Sequence, residues 1–374
     1  MSDTLLPEKI RVLVVDDSSL MRKIIATALS KHDSIEIAGF ATNGLEAIQA
    51  VDKLLPDVIT LDIEMPEMDG LAALREIRKK YRKVPIIMFS TLTQKGAQAT
   101  VMALTRGASD YVEKPSNNLG GMEESFKILD AQLIPKVIAL ARRAKRVAAV
   151  KTSTFVAPEF KHSLSPQGAV SRPKLVRSIQ LAHAVCIGIS TGGPVALMDL
   201  FAQFITPLAV PVFIVQHIPP SFTTLLAARL STVGVMTVKE PIDGEEAVPG
   251  VAYLAPGGQH MVLKKSQSKV TIHLTSDPPE NSCRPAVDVL FRSAADIYGQ
   301  YLLGVVMTGM GFDGLKGSLY VNDKQGQVIV QDEESSVIWG MPGAVANANV
   351  ADAVVSLDGL GKEISSRTRK SKFT

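Results

Sequence analysis

The chain is poor in cysteine: only Cys186 and Cys283 occur in 374 residues. So few exclude a disulfide framework and point to a reducing compartment. It also lacks a strong charge of either sign. A formal net charge of +3 is too small to make nucleic acid the main partner. No run of about 18 apolar residues occurs, so no membrane insertion is expected. The opening "MSDTLLPEKI" has no basic region followed by an apolar core, so no signal peptide is expected. Internal repeats are absent. These absences leave a cytoplasmic protein as the expectation. Its hydrophobic share of 46% is globular, and its length makes two domains the default.

The first 115 residues alternate regularly. The runs "IRVLVV" (10–15), "IEIAGF" (35–40), "DVITL" (57–61), "VPIIMF" (84–89) and "DYV" (110–112) read as buried strands. Amphipathic helices are expected between them, near 18–30, 43–54, 69–81 and 95–106. This alternation implies a parallel sheet covered on both faces. A long helical pattern then spans about 123–147. From Arg142 to Arg177 nine Lys or Arg stand against one acid, Glu159. With the periodicity gone over 148–180, that stretch reads as a solvated linker or as a docking segment for an acidic partner. From His183 the alternation resumes, with strands expected at 183–189, 210–216, 251–254, 261–264, 269–274, 301–306 and 326–330. Helices are expected at 194–205, 220–231, 284–298 and 343–348, and after the glycines of 309–317. The pair 261–264 and 269–274 suggests a small hairpin.

Strand ends carry the chemistry of the first domain. The first strand ends in Asp16-Asp17, the third in Asp62 and the fourth in Ser90; Lys114-Pro115 follows the fifth. In a doubly wound sheet these carboxyl ends share one edge, where ligands bind. Clustered carboxylates repel, and Mg²⁺ with its oxygen ligands is the usual remedy. A lysine facing such an ion can bind phosphate oxygens.

In "LVVDDSSLMR" (13–22), "LDIEMPEMDG" (61–70), "FST" (89–91) and "YVEKP" (111–115) the half closely resembles a response-regulator receiver. The resemblance covers about residues 9–125 and implies a flavodoxin-like, five-stranded parallel sheet. It implies that Asp62 accepts a phosphoryl group from a sensor histidine kinase and that Asp16, Asp17 and Asp62 hold Mg²⁺. It further implies that Ser90 and Lys114 contact phosphoryl oxygens, that Tyr111 switches rotamer with Ser90, and that the Lys114–Pro115 bond is cis.

The second half turns on "GISTGGP" (188–194), between the apolar run "HAVCI" and the helical "VALMDLF". It fits G-x-S-x-G on a strand-to-helix turn, which lifts a serine above the sheet edge beside free backbone N–H groups. The alternative is a capping and turn segment. A nucleophilic serine needs a base, and the base an orienting carboxylate. Four histidines lie in this half. His183 starts its strand at the wrong end, His273 sits in an alternating run, and His260 follows a turn. His217 ends "VPVFIVQ" and shares the carboxyl edge with Ser190. Asp313, in "GMGFDG" (309–314), lies just past the strand "YLLGVVMT" on that edge. The order Ser…His…Asp differs from the Ser…Asp…His of α/β-hydrolases.

Further stretches complete the pattern: "VQHIPPSFT" (215–223), "AYLAPGGQHM" (252–261), "CRPAVDVLFRSAA" (283–295), "MTGMGFDG" (307–314) and "WGMPGAV" (339–345). Together with "GISTGGP" they resemble the catalytic domain of the bacterial chemotaxis protein-glutamate methylesterases, over about residues 180–366. That resemblance implies the triad Ser190, His217 and Asp313. It also implies an oxyanion site with backbone N–H near Met310 and with Thr191 beside the nucleophile. The implied reaction frees glutamate from γ-glutamyl methyl esters on cytoplasmic chemoreceptor helices and deamidates receptor glutamines, with no cofactor for the ester step. Phe312 departs from the family pattern and can alter the cleft wall. Arg284 is a candidate contact for acidic receptor residues, or else a local ion pair.

The expected architecture is therefore α/β in two domains: a receiver at 1–125, helix and basic linker at 126–180, a doubly wound, mainly parallel domain with a small antiparallel hairpin at 181–366, and a disordered tail at 367–374. A receiver driving a non-catalytic output is the rival, and no helix-turn-helix follows the linker to support it. A Rossmann-type oxidoreductase is a third reading; Ser190 stands where the dinucleotide fingerprint needs its second glycine.

Overall fold

A computed structural model describes residues 9–91, 93–114, 121–152 and 180–368. The basic stretch 153–179, Pro115 and the final six residues lie outside the described residues, and with them the docking-segment reading and the expected cis Lys114–Pro115 bond.

The first sheet contains β1 (Ile10–Val15), β2 (Ile35–Ala41), β3 (Val58–Asp62), β4 (Ile86–Ser90) and β5 (Asp110–Glu113), all parallel in the order 2-1-3-4-5. Helices α1 (Ser19–Ser30), α2 (Gly44–Leu54), α3 (Gly70–Lys80) and α4 (Gln94–Thr105) alternate with the strands. Each starts on a side-chain cap, from Ser18, Asn43, Asp69 and Thr93, which satisfies an otherwise orphaned backbone N–H. The strand pleat divides β1 between two cores. Val12 and Val14 face one cluster; Leu13 and Val15 face the other.

The long helical pattern is one continuous run in three parts: α5 (Gly121–Ile128), a π-helical turn (Leu129–Leu133) and α6 (Ile134–Thr152). Leu129, Leu133, Val137 and Leu140 pack with Val12, Val14, Ile25 and Phe89. The helix therefore completes the receiver-side core well past residue 125, and its apolar spacing reflects that burial.

The second sheet has seven parallel strands: β6 (Ala184–Ile189), β7 (Val212–Gln216), β8 (Thr237–Lys239), β9 (Val251–Leu254), β12 (Leu302–Val306), β13 (Gln327–Gln331) and β14 (Ala353–Val355). Their order is 14-13-12-6-7-9-8. The strands β10 (His260–Ser266) and β11 (Lys269–Thr275) form the expected antiparallel hairpin. Its helices are α7 (Gly193–Ala202), α8 (Pro220–Val233), α9 (Val287–Tyr298), α10 (Leu315–Asp323), α11 (Met341–Asn347) and α12 (Leu357–Arg367). Helix α12 takes in Arg367, expected in the tail; its guanidinium binds Glu363 and Gln327, and Thr368 bridges to Ala182. The chain leaves β6 toward β7 on one side and returns through β12 on the other. This makes the β6–β12 boundary the switch point where an open α/β sheet leaves a crevice.

The two halves meet through α4 and β5 against α7 and α8. Tyr111 stacks on Phe222, ring centroids 4.8 Å apart, and Val101 and Leu104 line the same apolar seam with Met198 and Leu226. One hydrophobic cluster runs unbroken from the first domain into the second.

Leu133 is fully buried in the first domain's core. Leu133→Ala is expected to destabilise that domain by about 2–5 kcal/mol. Denaturant unfolding should show this, and a fragment ending at residue 125 should fail to give the cooperative transition of one ending at 152.

Candidate active site

Ser190, His217 and Asp313 follow β6, β7 and β12, three adjacent strands, so parallel pairing brings all three to one rim. The Ser190 loop is fastened from several sides. Ser190 N donates to Thr308 O at 2.9 Å, Gln216 Nε2 donates to Ser190 O at 3.0 Å, and Thr308 Oγ1 donates to Thr191 O at 3.0 Å. Gly192 has φ +75°, the left-handed region that suits glycine, and lets the chain turn into α7. Gly309 leaves Ser190 its space: a Cβ there would lie 2.8 Å from Ser190 Cβ and 2.3 Å from Met341 Sδ.

Asp313 is 3% exposed, yet its carboxylate accepts five hydrogen bonds. Oδ2 accepts from His217 Nε2 at 2.9 Å and Val287 N at 2.7 Å. Oδ1 accepts from Asp288 N at 3.1 Å, Gly314 N at 3.0 Å and Asn281 Nδ2 at 2.9 Å. Helix α9 has no cap from Ala286 just before it. Asp313, distant in sequence, takes the role and places its charge at the positive end of the helix. Burial raises the Asp313 pKa, but the His217 contact and the N–H groups of Val287 and Asp288 outweigh it and hold the carboxyl below its usual range. Burial lowers the His217 pKa, but its contacts with Asp313 and Cys283 outweigh that and push it up to about 9.

Because Nε2 is committed to Asp313, the other ring nitrogen is the one available as a base. His217 Nδ1 faces Cys283 Sγ at 3.6 Å. The Ser190 hydroxyl has no hydrogen-bond partner among the described residues, so the structure joins His217 to Asp313 and leaves Ser190 on the same rim but unlinked. The backbone N–H groups of Thr191 and Met310 likewise donate to no described residue. Met310 and Phe312 are exposed, at 44% and 55%, on either side of Gly311. Arg284 is exposed and donates to the carbonyls of Ser276 and Asp277, forming no ion pair among the described residues. The other three histidines of this domain have partners away from Ser190. His260 is buried between Pro278 O and Ala286 N, His183 stacks on Tyr301, and His273 contacts Thr271 and Asp243.

Asn281, Cys283, Asp288 and Thr308 were not singled out as site residues from the sequence. Cys283, Asp288 and Thr308 fall within the quoted stretches 283–295 and 307–314, and Asn281 lies just outside them. Asn281 and Ser282 have φ +52° and +61°, a turn that swings the Asn281 amide onto both Asp313 and Asp288.

At the first domain's rim Asp16, Asp17 and Asp62 cluster closely enough to share one ion. Lys114 Nζ lies 2.6 Å from Asp62 Oδ2 and 3.0 Å from Asp16 Oδ2. Asp16 Oδ1 accepts from Ser18 N, whereas Oδ2, although close to Lys114, has no hydrogen bond of good geometry. Burial, reinforced by Asp16, raises the Asp62 pKa to about 6 against the pull of Lys114; burial also raises Asp16. A buried orphan acceptor among mutually repelling carboxylates fits a hard divalent cation with oxygen ligands. Ser90 is on this rim, but its hydroxyl donates to Gly96 O at 3.1 Å and Thr91 O at 3.2 Å. Tyr111 turns away into the interdomain seam. Its neighbour Asp110 accepts from Gly192 N at 3.2 Å, two residues after Ser190, and also pairs with Lys136.

A family profile described as CheB methylesterase matches residues 185–364, and one described as response regulator receiver domain matches 12–124. The chain is 46% identical to a protein-glutamate methylesterase/protein-glutamine glutaminase of Trichodesmium erythraeum, over 95% of this chain and 98% of that one. The same name belongs to a Nocardioides relative, 46% identical over 97% of this chain and 96% of its own. A crystal structure of the Thermotoga maritima CheB methylesterase catalytic domain is 40% identical and covers 50% of this chain and 98% of its own, with a TM-score of 0.49.

Gly309→Ala is expected to slow labelling of Ser190 by a serine-directed probe about 100-fold, the effect of a roughly 1 Å displacement, with unchanged circular dichroism. Labelling that needs neutral His217 should rise with pH to an inflection near 9. Asp313→Asn removes the partner that raises this value, so the inflection should fall toward about 6.5 while the maximal rate drops.

Proposed function

Since the chain belongs to the protein-glutamate methylesterase/protein-glutamine glutaminase family of CheB type, with an N-terminal response-regulator receiver, we propose that it hydrolyses γ-glutamyl methyl esters on the cytoplasmic helices of chemoreceptors through Ser190, His217 and Asp313. The observation that carries this reading is the buried Asp313–His217 bond at the switch-point rim that also bears Ser190. Ser190 Oγ attacks the ester carbonyl and passes its proton to His217 Nδ1. Asp313 keeps the Nε2–H tautomer and balances the imidazolium. The N–H groups of Thr191 and Met310 receive the oxyanion. Collapse expels methanol with the proton from His217. Water then hydrolyses the acyl-serine to glutamate, and a receptor glutamine loses ammonia by the same route. The methyl group offers no handle for recognition, so the exposed Met310 and Phe312 supply an apolar lip for the receptor helix.

Control comes from the receiver. Asp62 takes the phosphoryl group from a sensor histidine kinase of the chemotaxis type. Asp16, Asp17 and Asp62 would hold Mg²⁺, which when bound neutralises their charge and that of the incoming oxygens. Lys114 then moves from Asp62 to the phosphoryl group, and Ser90 leaves Gly96 O to join it. The unphosphorylated receiver restrains the esterase: Asp110 ties down Gly192, and the Tyr111–Phe222 stack holds β5 against α8. An unengaged Ser190 hydroxyl is what such a resting state requires. The product of this control is sensory adaptation.

Methanol release from methylated receptor membranes tests the chemistry. Wild type should release it and Ser190→Ala should not; equal release would exclude the serine mechanism. A small phosphodonor with Mg²⁺ should accelerate wild type about 5–150-fold, a coupling of about 1–3 kcal/mol, and leave Asp62→Ala unchanged. Asp110→Ala should raise the basal rate without phosphodonor. A basal rate equal to wild type would remove Asp110 from the restraint.

A further inference from the structure

We propose that His217 Nδ1 and Cys283 Sγ form a two-ligand site for a thiophilic divalent cation of the zinc type, and that its occupancy shuts the esterase off. Zinc–sulfur and zinc–nitrogen bonds of about 2.3 and 2.0–2.1 Å at a tetrahedral angle set the two donors about 3.6 Å apart. The observed separation is 3.6 Å. The ring is also oriented as a metal-binding histidine is: its far nitrogen donates to a buried carboxylate, Asp313, which leaves the Nδ1 lone pair directed at the thiol. Asp313 is the outer-shell partner, since its oxygens already accept five hydrogen bonds. Cys283 is half-buried and Ser282 beside it is exposed, so an ion and its waters can enter from solvent. Binding releases to solvent the thiol proton and, below the His217 pKa, the Nδ1 proton, as Sγ and Nδ1 become ligands. With only two protein ligands the remaining positions go to water, which suits a reversible inhibitor rather than a structural ion.

The binding claim stands by itself; inhibition rests on the reading of Ser190 and His217 given above. Inhibition follows because the coordinated lone pair is the one that must take the serine proton. The receiver rim offers only oxygen ligands, and the other thiol, Cys186, is fully buried in the core. Thiolate-to-metal absorption therefore reports this site alone.

The test uses reduced, full-length protein in excess Mg²⁺, titrated with Co²⁺. Wild type should develop thiolate-to-cobalt charge-transfer absorption at one equivalent, and Zn²⁺ should abolish it. Cys283→Ser should show no such band, and Asp313→Asn should bind about 10–100-fold more weakly. Zn²⁺ should slow serine-probe labelling of Ser190 in wild type and not in Cys283→Ser. No band in wild type, or the same band in Cys283→Ser, would overturn the site. A band with zinc-insensitive labelling would overturn the inhibition.

Discussion

The site depends on one carboxylate buried where a helix begins. Asp313 sits in a dry interior that opposes its charge, and five N–H donors hold it ionised. Two of them are the first amides of α9, which lacks a cap of its own. The fold thus makes one group serve two ends. Asp313 completes the helix and fixes the imidazole of His217. Loss of either end removes support from the other, because the carboxylate is stable in that interior only while its donors are in place. Asp288 extends the arrangement by accepting from Gly314, Gly317 and Asn281, so the loop carrying Asp313 is bound to the same helix start.

The same logic of shared elements joins the two domains. The end of β5 carries Lys114 beside Asp62, while Asp110 on that strand accepts from Gly192 N just before α7 and Tyr111 stacks on Phe222 of α8. Lys114 therefore links Asp62 to a strand that already touches the Ser190 loop. The hydrophobic cluster shared by both domains makes this contact a packed interface.

Much of this was legible in the sequence because parallel sheets gather strand ends at one rim. Asp16, Asp62, Ser190, His217 and Asp313 follow apolar β-branched runs, so their common edge could be read without coordinates. What was hidden depended on geometry that periodicity does not encode. Strands β8 and β14 have three residues each, too short for an alternating pattern. The helix past residue 125 looked like a connector, and only packing assigns Leu133 and Val137 to the first core. Asn281 reaches Asp313 through consecutive left-handed residues that no composition rule anticipates. The apolar faces of α4 and α8 read as ordinary core, and nothing in their spacing distinguishes an interdomain seam. Ser90 lies on the rim expected of it, and its hydrogen bond to a carbonyl of α4 is a detail no sequence pattern carries.

The account turns on which nitrogen of His217 carries the proton and how tightly it is held. Nitrogen-15 NMR of the His217 ring across a pH titration measures both. The account predicts an Nε2–H tautomer in the neutral form, with a pKa near 9. An Nδ1–H tautomer, or titration at or below the usual value of about 6.5, would contradict it.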